Sequence, residues 1–418
     1  MLLGIVLIIL ALLGAPLFAI IAAGALISFT AQDLSQGVVV PIEIFSIAEM
    51  PILLAIPLFT FAGYILSESQ APGRLVRLTR AVLGWMPGGL AIVCIGASAF
   101  FTAFTGASGV TIIALGAILY PALAQSGYHD KFNLGLVTAG GSLGLLFAPS
   151  LPLILYGVVA EVNIDSLFVA GVLPGMLMLA ALSVYSLWVN RHTRIPLAHF
   201  SWREVGSAII DSIWELPLPI VVLGGIYSGL LAVSEAAAVT AVYVFLVEVV
   251  IRREIPLLKL PDIMRESMVL VGGILLILGA SLASTNYVID AEIPQQLIGV
   301  VTEYVDGRIS FLFLLLIFLL ILGAFLDIFS ALVLVVPLIL PVAAQFGVEP
   351  VHLGMIFLAT MQLGYLTPPV GLNLFIASYR FQKSIVTVYL ATFPFLLILL
   401  AAVLVITFWP GLSLVLLD

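Results

Sequence analysis

Phe104-Thr105-Gly106-Ala107-Ser108-Gly109 interrupts a run that is otherwise apolar from Leu90 to Tyr120. A shift of 220 residues (104 to 324) lands on Ala324-Phe325-Leu326-Asp327-Ile328-Phe329, where Asp327 is the one charge between Ser310 and Phe346. Two more breaks follow. Gly140-Gly141-Ser142-Leu143-Gly144 and Ala148-Pro149-Ser150-Leu151-Pro152 divide one apolar segment, and Gly364 to Asn373, with Thr367-Pro368-Pro369 and Gly371, divides its mate. In lipid a helix satisfies its own backbone, so breaks of this kind are tolerated where they line a site. Each proline removes a backbone donor and frees a carbonyl upstream. Freed carbonyls beside Thr or Asn oxygens suit a hard monovalent cation such as sodium. Half-helix N-termini suit an anion such as a carboxylate. An acid at membrane depth costs a few kcal/mol without a partner or a purpose. Asp327 therefore has two readings, a cap on free amides at a hairpin tip or a part in shaping a cation or substrate site.

The elements that position these residues follow from composition. Of the chain, 63% is hydrophobic and 9% charged, against roughly 45–50% and about 25% in soluble domains. Long apolar runs such as Phe311–Phe325 and Ala391–Trp409 lack the alternation of a membrane barrel, so the expected fold is all-α and integral to the membrane. No Lys or Arg precedes Arg74, which argues against a cleaved signal. The single cysteine, Cys94, can form no internal disulfide.

Each half reads as five crossings and one re-entrant hairpin. The first half has segments near 1–13, 15–30 and 50–67, a hairpin over 90–126, a broken helix over 132–158 and a crossing at 166–190. The second has 216–233, 235–250 and 267–289, a hairpin over 309–346, a broken helix over 352–378 and a crossing at 385–410. The halves, 1–205 and 206–418, repeat each other: Pro121 falls on Pro341, Leu143-Gly144 on Leu363-Gly364 and Pro149 on Pro369. With the N-terminus outside, every basic residue except Arg308 falls inside. The outside loops hold Asp33, Glu43, Glu49, Glu161, Asp165, Asp290, Glu292, Asp306 and Glu349, as the positive-inside rule requires. Odd numbers of crossings make the repeats inverted. The arm carrying Arg74, Arg77 and Arg80 reads as an in-plane helix at the membrane interface or a basic loop, and its counterpart near 290–308 is mostly acidic.

At these residues the chain resembles the large membrane subunit of a TRAP (tripartite ATP-independent periplasmic) transporter. Gly224-Gly225-Ile226-Tyr227-Ser228-Gly229 with Ser234-Glu235-Ala236-Ala237-Ala238-Val239, Leu363 to Ser378, Gly323 to Asp327 and Pro149 to Gly157 carry the likeness. It implies an elevator-type secondary carrier in which two hairpins and two broken helices move substrate past a fixed scaffold. It implies import of a small organic acid, a carboxylate, driven by a sodium gradient. The implied partners are a small membrane (Q) subunit and a periplasmic substrate-binding (P) protein. Carried over by position, Ser108, Ser142, Ser150 and Asn373 would contact substrate; Thr105, Gly106, Ser108, Asp327, Thr367, Pro368 and Gly371 would hold sodium. Sodium serves as the coupling ion, and no other cofactor, no catalytic residue and no nucleic-acid partner are expected. The implied location is the bacterial inner membrane, with both termini periplasmic. Departures from the family pattern are Ala107 before Ser108, Ala148 before Pro149-Ser150, and Ile328 after Asp327. A stand-alone sodium/carboxylate symporter or exchanger of similar build is the alternative. An intramembrane enzyme is disfavoured, because His129, His192, His199 and His352 map to segment ends or loops.

Overall fold

The computed structural model describes residues 6, 7, 9, 10, 13, 15–86, 88–191 and 200–417. The crossing expected over 1–13 falls largely outside them, as do His192, Arg194 and His199. The described regular structure is helical. Among the described residues, eight helices are long and apolar enough to cross a membrane: Pro51–Glu68, Ser108–Gln125, Ile164–Asn190, Val233–Ile251, Leu257–Asp290, Arg308–Phe325, Ile328–Gln345 and Ile385–Phe408. A ninth passes as a bent pair, Asp130–Leu146 and Leu151–Val159, angled by 43°. Phe18–Ala31, Gly89–Thr105, Pro217–Tyr227 and Pro350–Gly364 are apolar but shorter, and the helix Leu260–Asp290 starts earlier than the expected 267. A helix at Trp202–Asp211 lies in what reads as a loop; Ser201 caps it by accepting the N–H of Glu204.

The packing is reciprocal between the halves. Leu17–Gln32 packs on Leu260–Asp290, and Val233–Phe245 packs on Ala55–Glu68. These helices form the frame. The rest of the core forms around the breaks. Gly89–Thr105 and Ser108–Gln125 make the first hairpin and pack on Asp130–Gly140; Arg308–Phe325 and Ile328–Gln345 make the second and pack on Pro350–Gly364. The far half of each broken helix then crosses to the other hairpin: Leu151–Val159 onto Ile328–Gln345, and Leu372–Phe381 onto Ser108–Gln125.

Glycines permit the closest of these contacts. A Cβ on Gly144 would stand 2.2 Å from the Ala99 carbonyl oxygen, and one on Gly364 would stand 2.4 Å from the backbone of Gly323. Backbone meets backbone at both breaks, where any larger residue overpacks.

The arm Ala71–Leu83 is helical, but Arg74 faces neither lipid nor water. Its Nε donates to Glu215 at 2.7 Å and its Nη2 to both oxygens of Glu248 at 3.0 and 3.2 Å, and it also pairs with Glu254. Arg77 pairs with Glu204 and Asp211. Carboxylates from the second half gather on this arm because a buried guanidinium needs several charged acceptors. His352, expected at a segment end, is fully buried in the first turn of Pro350–Gly364. Its Nε2 donates to the Thr407 carbonyl at 3.3 Å and its Nδ1 accepts from Ser413 at 3.2 Å, which ties the C-terminal segment to this helix.

Candidate functional site

The first tip turns at Gly106, whose φ of +65° favours glycine and whose N–H closes on the Thr102 carbonyl at 2.8 Å. A Cβ there would run into Leu151, 2.4 Å away. The tip therefore abuts the start of Leu151–Val159. Two residues on, Ser108 opens the outgoing helix, and its hydroxyl donates to Asn373 Oδ1 at 2.7 Å. Asn373 stands in the first turn of Leu372–Phe381. Its Nδ2 points at the Thr138 carbonyl, 3.5 Å away, and its N–H donates to the Tyr365 carbonyl at 3.2 Å. The starts of Ser108–Gln125, Leu151–Val159 and Leu372–Phe381 thus meet at the first tip, which brings three positive helix ends together.

Thr102 and Thr111 extend this cluster on either side of the tip. Their hydroxyls lie 2.7 Å apart, and that of Thr102 is 2.8 Å from the Gly141 carbonyl. Ser142 follows Gly141; its hydroxyl is buried without a hydrogen-bond partner, which is costly unless a ligand or water completes it. Ser108, Asn373, Thr138, Thr102, Thr111 and Ser142 are all buried. Every one is neutral, and their oxygens suit a hard cation better than a transition metal. Among the described residues, no group of three or more His, Cys, Asp or Glu side chains could hold a metal.

The second tip is built differently. Asp327 Oδ1 accepts the N–H groups of Phe329 and Ser330, both at 3.0 Å, and Oδ2 accepts the Ser330 hydroxyl. The carboxylate caps Ile328–Gln345, as the capping reading has it. Tyr365 Oη accepts the Ile328 N–H at 2.8 Å, and the N–H groups of Val370 and Gly371 reach the Ala324 carbonyl at 3.2 and 3.4 Å. The second tip is thereby stitched to the second break.

The residues expected at the site therefore separate into groups. Ser108 and Asn373 touch, with Ser142 beside Gly141. Asp327 and Gly371 belong to the second tip, joined to the first through Tyr365 and Asn373. Thr105 is buried, its hydroxyl 3.5 Å from the Ala107 carbonyl. Ser150 turns its hydroxyl back to the Leu145 carbonyl at 2.8 Å, and Thr367 turns its own back to the Leu363 carbonyl at 3.0 Å. Both close their own break in this conformation. Among the described residues, the carbonyls of Thr367, Pro368 and Pro369 accept no backbone hydrogen bond. Sequence reasoning missed Tyr365, Thr102, Thr111 and Thr138. Thr102 and Thr111 straddle Gly106-Ala107 almost symmetrically, a signal that could have found them.

Broken helices, hairpin tips and a buried neutral oxygen cluster within an apolar helical chain define a membrane transport protein. The sequence profile of the family described as "Tripartite ATP-independent periplasmic transporter, DctM component" matches residues 3–412. The chain is 35% identical over 376 residues, 90% of its length and 88% of the other's, to the C4-dicarboxylate TRAP transporter large permease protein DctM of Pseudomonas aeruginosa. It is 32% identical to the ectoine/5-hydroxyectoine TRAP transporter large permease protein UehC of Ruegeria pomeroyi, covering 98% of this chain and 97% of that one. It is also 32% identical to the isethionate TRAP transporter permease protein DctMQ of Oleidesulfovibrio alaskensis; 95% of this chain matches 61% of that protein. The Alcanivorax borkumensis YdaH transporter, whose crystal structure has an unusual topology, shares the fold at a TM-score of 0.64 and 14% identity, over 89% of this chain and 87% of that one. The chain belongs to the DctM family: it is the large permease component of a TRAP transporter, a multi-pass membrane protein and not an enzyme.

Proposed function

We propose that this permease imports a small organic acid by sodium-coupled symport, with an elevator-like movement of the hairpins and broken helices against the frame. The observation that carries this reading is the Ser108–Asn373 contact, where the first hairpin and the second broken helix meet in a buried cluster with no charged side chain. A carboxylate held there would rely on half-helix N-termini and hydroxyls. Bound sodium would supply the compensating positive charge, on the hydroxyls of Thr105 and Ser108, the break around Thr367, Pro368 and Gly371, and the tip held by Asp327. Ser142 and Ser150 would face the substrate. Each elementary charge moved across 100 mV contributes about 2.3 kcal/mol, so two or three net charges suffice for steep accumulation.

The reciprocal packing supports two inverted repeats, 1–205 and 206–418, and the distribution of basic and acidic residues supports their setting in the bacterial inner membrane with both termini periplasmic. The substrates in the relatives' names support a carboxylate or similarly small charged cargo. The matched DctMQ protein, longer than this chain, supports a small membrane subunit as one partner. A periplasmic binding protein completes the tripartite assembly.

The test is uptake into vesicles holding the permease and its small subunit, with the binding protein and a labelled C4-dicarboxylate outside. Uptake driven by an inward sodium gradient and dependent on the binding protein is expected. Uptake that ignores sodium overturns the coupling, and uptake without the binding protein favours a stand-alone symporter.

A further inference from the structure

Pro337 lies inside the outgoing helix of the second hairpin. It has no N–H, so the carbonyl four residues earlier, on Val333, has no partner in its own helix. Val333 is buried, and an orphaned carbonyl cannot be left so without cost. The missing donor comes from the frame: Ser281, buried on Leu260–Asp290, donates its hydroxyl to the Val333 carbonyl at 2.6 Å. Among the described residues it is the one side-chain hydrogen bond from the frame helices to either hairpin. The first hairpin has Ala117 at the position equivalent to Pro337. It meets the frame by close packing instead, where Gly63 leaves no room for a Cβ against the backbone of Thr105 and Phe104.

Ser281 does not stand alone on its helix. Ser284 and Thr285 lie three and four residues further on, on the same face one turn away, about 5.4 Å along the axis. Both are partly buried, and neither makes a side-chain hydrogen bond among the described residues. A hairpin sliding by one turn would exchange one hydroxyl for the next, the one-turn ratchet by which packed helices move between discrete states.

We propose that Ser281 is a positioning residue: its bond to the proline-freed carbonyl of Val333 latches the second hairpin in the present state, and Thr285 or Ser284 receives that carbonyl when the hairpin slides. The inference rests on the reading above that the hairpins move against the frame.

The experiment measures distances between nitroxide labels at Leu276→Cys on the frame and Ile321→Cys on the second hairpin, both exposed, in a Cys94→Ala background. Wild type should show two distances. Ser281→Ala should lower the population ratio in favour of the present state roughly fivefold, the effect of one net hydrogen bond, and Ser281→Thr should restore it. In a Pro337→Ala background the helix regains its own donor for Val333, so adding Ser281→Ala should change nothing. Two distances whose ratio ignores Ser281→Ala, or an equal shift in both backgrounds, would overturn the latch alone. A single distance in every variant would overturn the moving hairpin with it.

Discussion

Removing the Ser108–Asn373 bond by Ser108→Ala, by Asn373→Ala and by both together tests the joint between the halves. The hydroxyl–amide bond is 2.7 Å long, and Asn373 is 0% and Ser108 4% exposed. Each single change loses a net bond of about 1 kcal/mol and leaves a buried partner unsatisfied at a further cost of about 1–3 kcal/mol. The second change removes that orphan, so the double variant should cost little more than Asn373→Ala. The coupling is then about the whole cost of Ser108→Ala, about 2–4 kcal/mol, at or above the upper end of the roughly 0.5–3 kcal/mol seen for residues in contact. The assay is thermal unfolding of the purified permease in detergent, followed by tryptophan fluorescence. For a chain of this size each kcal/mol moves Tm by about 1–2 °C. Singles that each lower Tm, with a double that stays within about a degree of Asn373→Ala, fit the geometry. Additive shifts would mean that the two side chains do not bond and that the cross-half cluster is misassigned.

Gly364→Ala should be more damaging than most alanine substitutions, because the added carbon meets Gly323 backbone at 2.4 Å and overpacking of this kind costs about 1–3 kcal/mol or more; an unchanged Tm would contradict the backbone-to-backbone contact. Arg74→Ala strands Glu215 and Glu248 in a site where they are 2% and 1% exposed, and breaking a buried charge cluster costs about 3–5 kcal/mol. The arm should then detach, seen as faster proteolysis around residues 69–88. Burial tends to raise the Glu254 carboxyl, but the Gln70 N–H and Arg74 outweigh it and hold the group below the usual carboxylate range. A depressed group stabilises above its unfolded value and loses that contribution as pH falls through its folded one. Glu254's share of the arm's protection should therefore be complete above the ordinary carboxylate range and be lost as pH falls through and below it, and Glu254→Gln should remove that part of the decline.

Much of the fold was legible because lipid leaves few options. Long apolar runs have to be helices, and Gly106, Gly141 and Pro368-Pro369 mark where helices stop. The interval of 220 by itself pairs each break with its mate. Asp327 was legible as a charge out of place, but only geometry shows its carboxylate bound to its own helix. Arg74 misled for a related reason: three arginines at helical spacing look like an interface arm until Glu215, Glu248 and Glu254, more than 140 residues away in sequence, are folded against one of them. Thr138 acts through a contact made across the two halves, and Tyr365 through one to the second hairpin tip, 37 residues away in sequence; no local pattern carries either. His352 sat near a predicted segment boundary, and its burial depends on a C-terminal turn that spacing alone does not place.

The account stands on two oppositely inserted halves, and sidedness measures that directly. Arg80→Cys and Asp306→Cys, each in a Cys94→Ala background, can be challenged in intact cells with a membrane-impermeant maleimide. The predicted result is labelling of position 306 from the periplasm and of position 80 only after the membrane is opened. Labelling of both from the same side would contradict it.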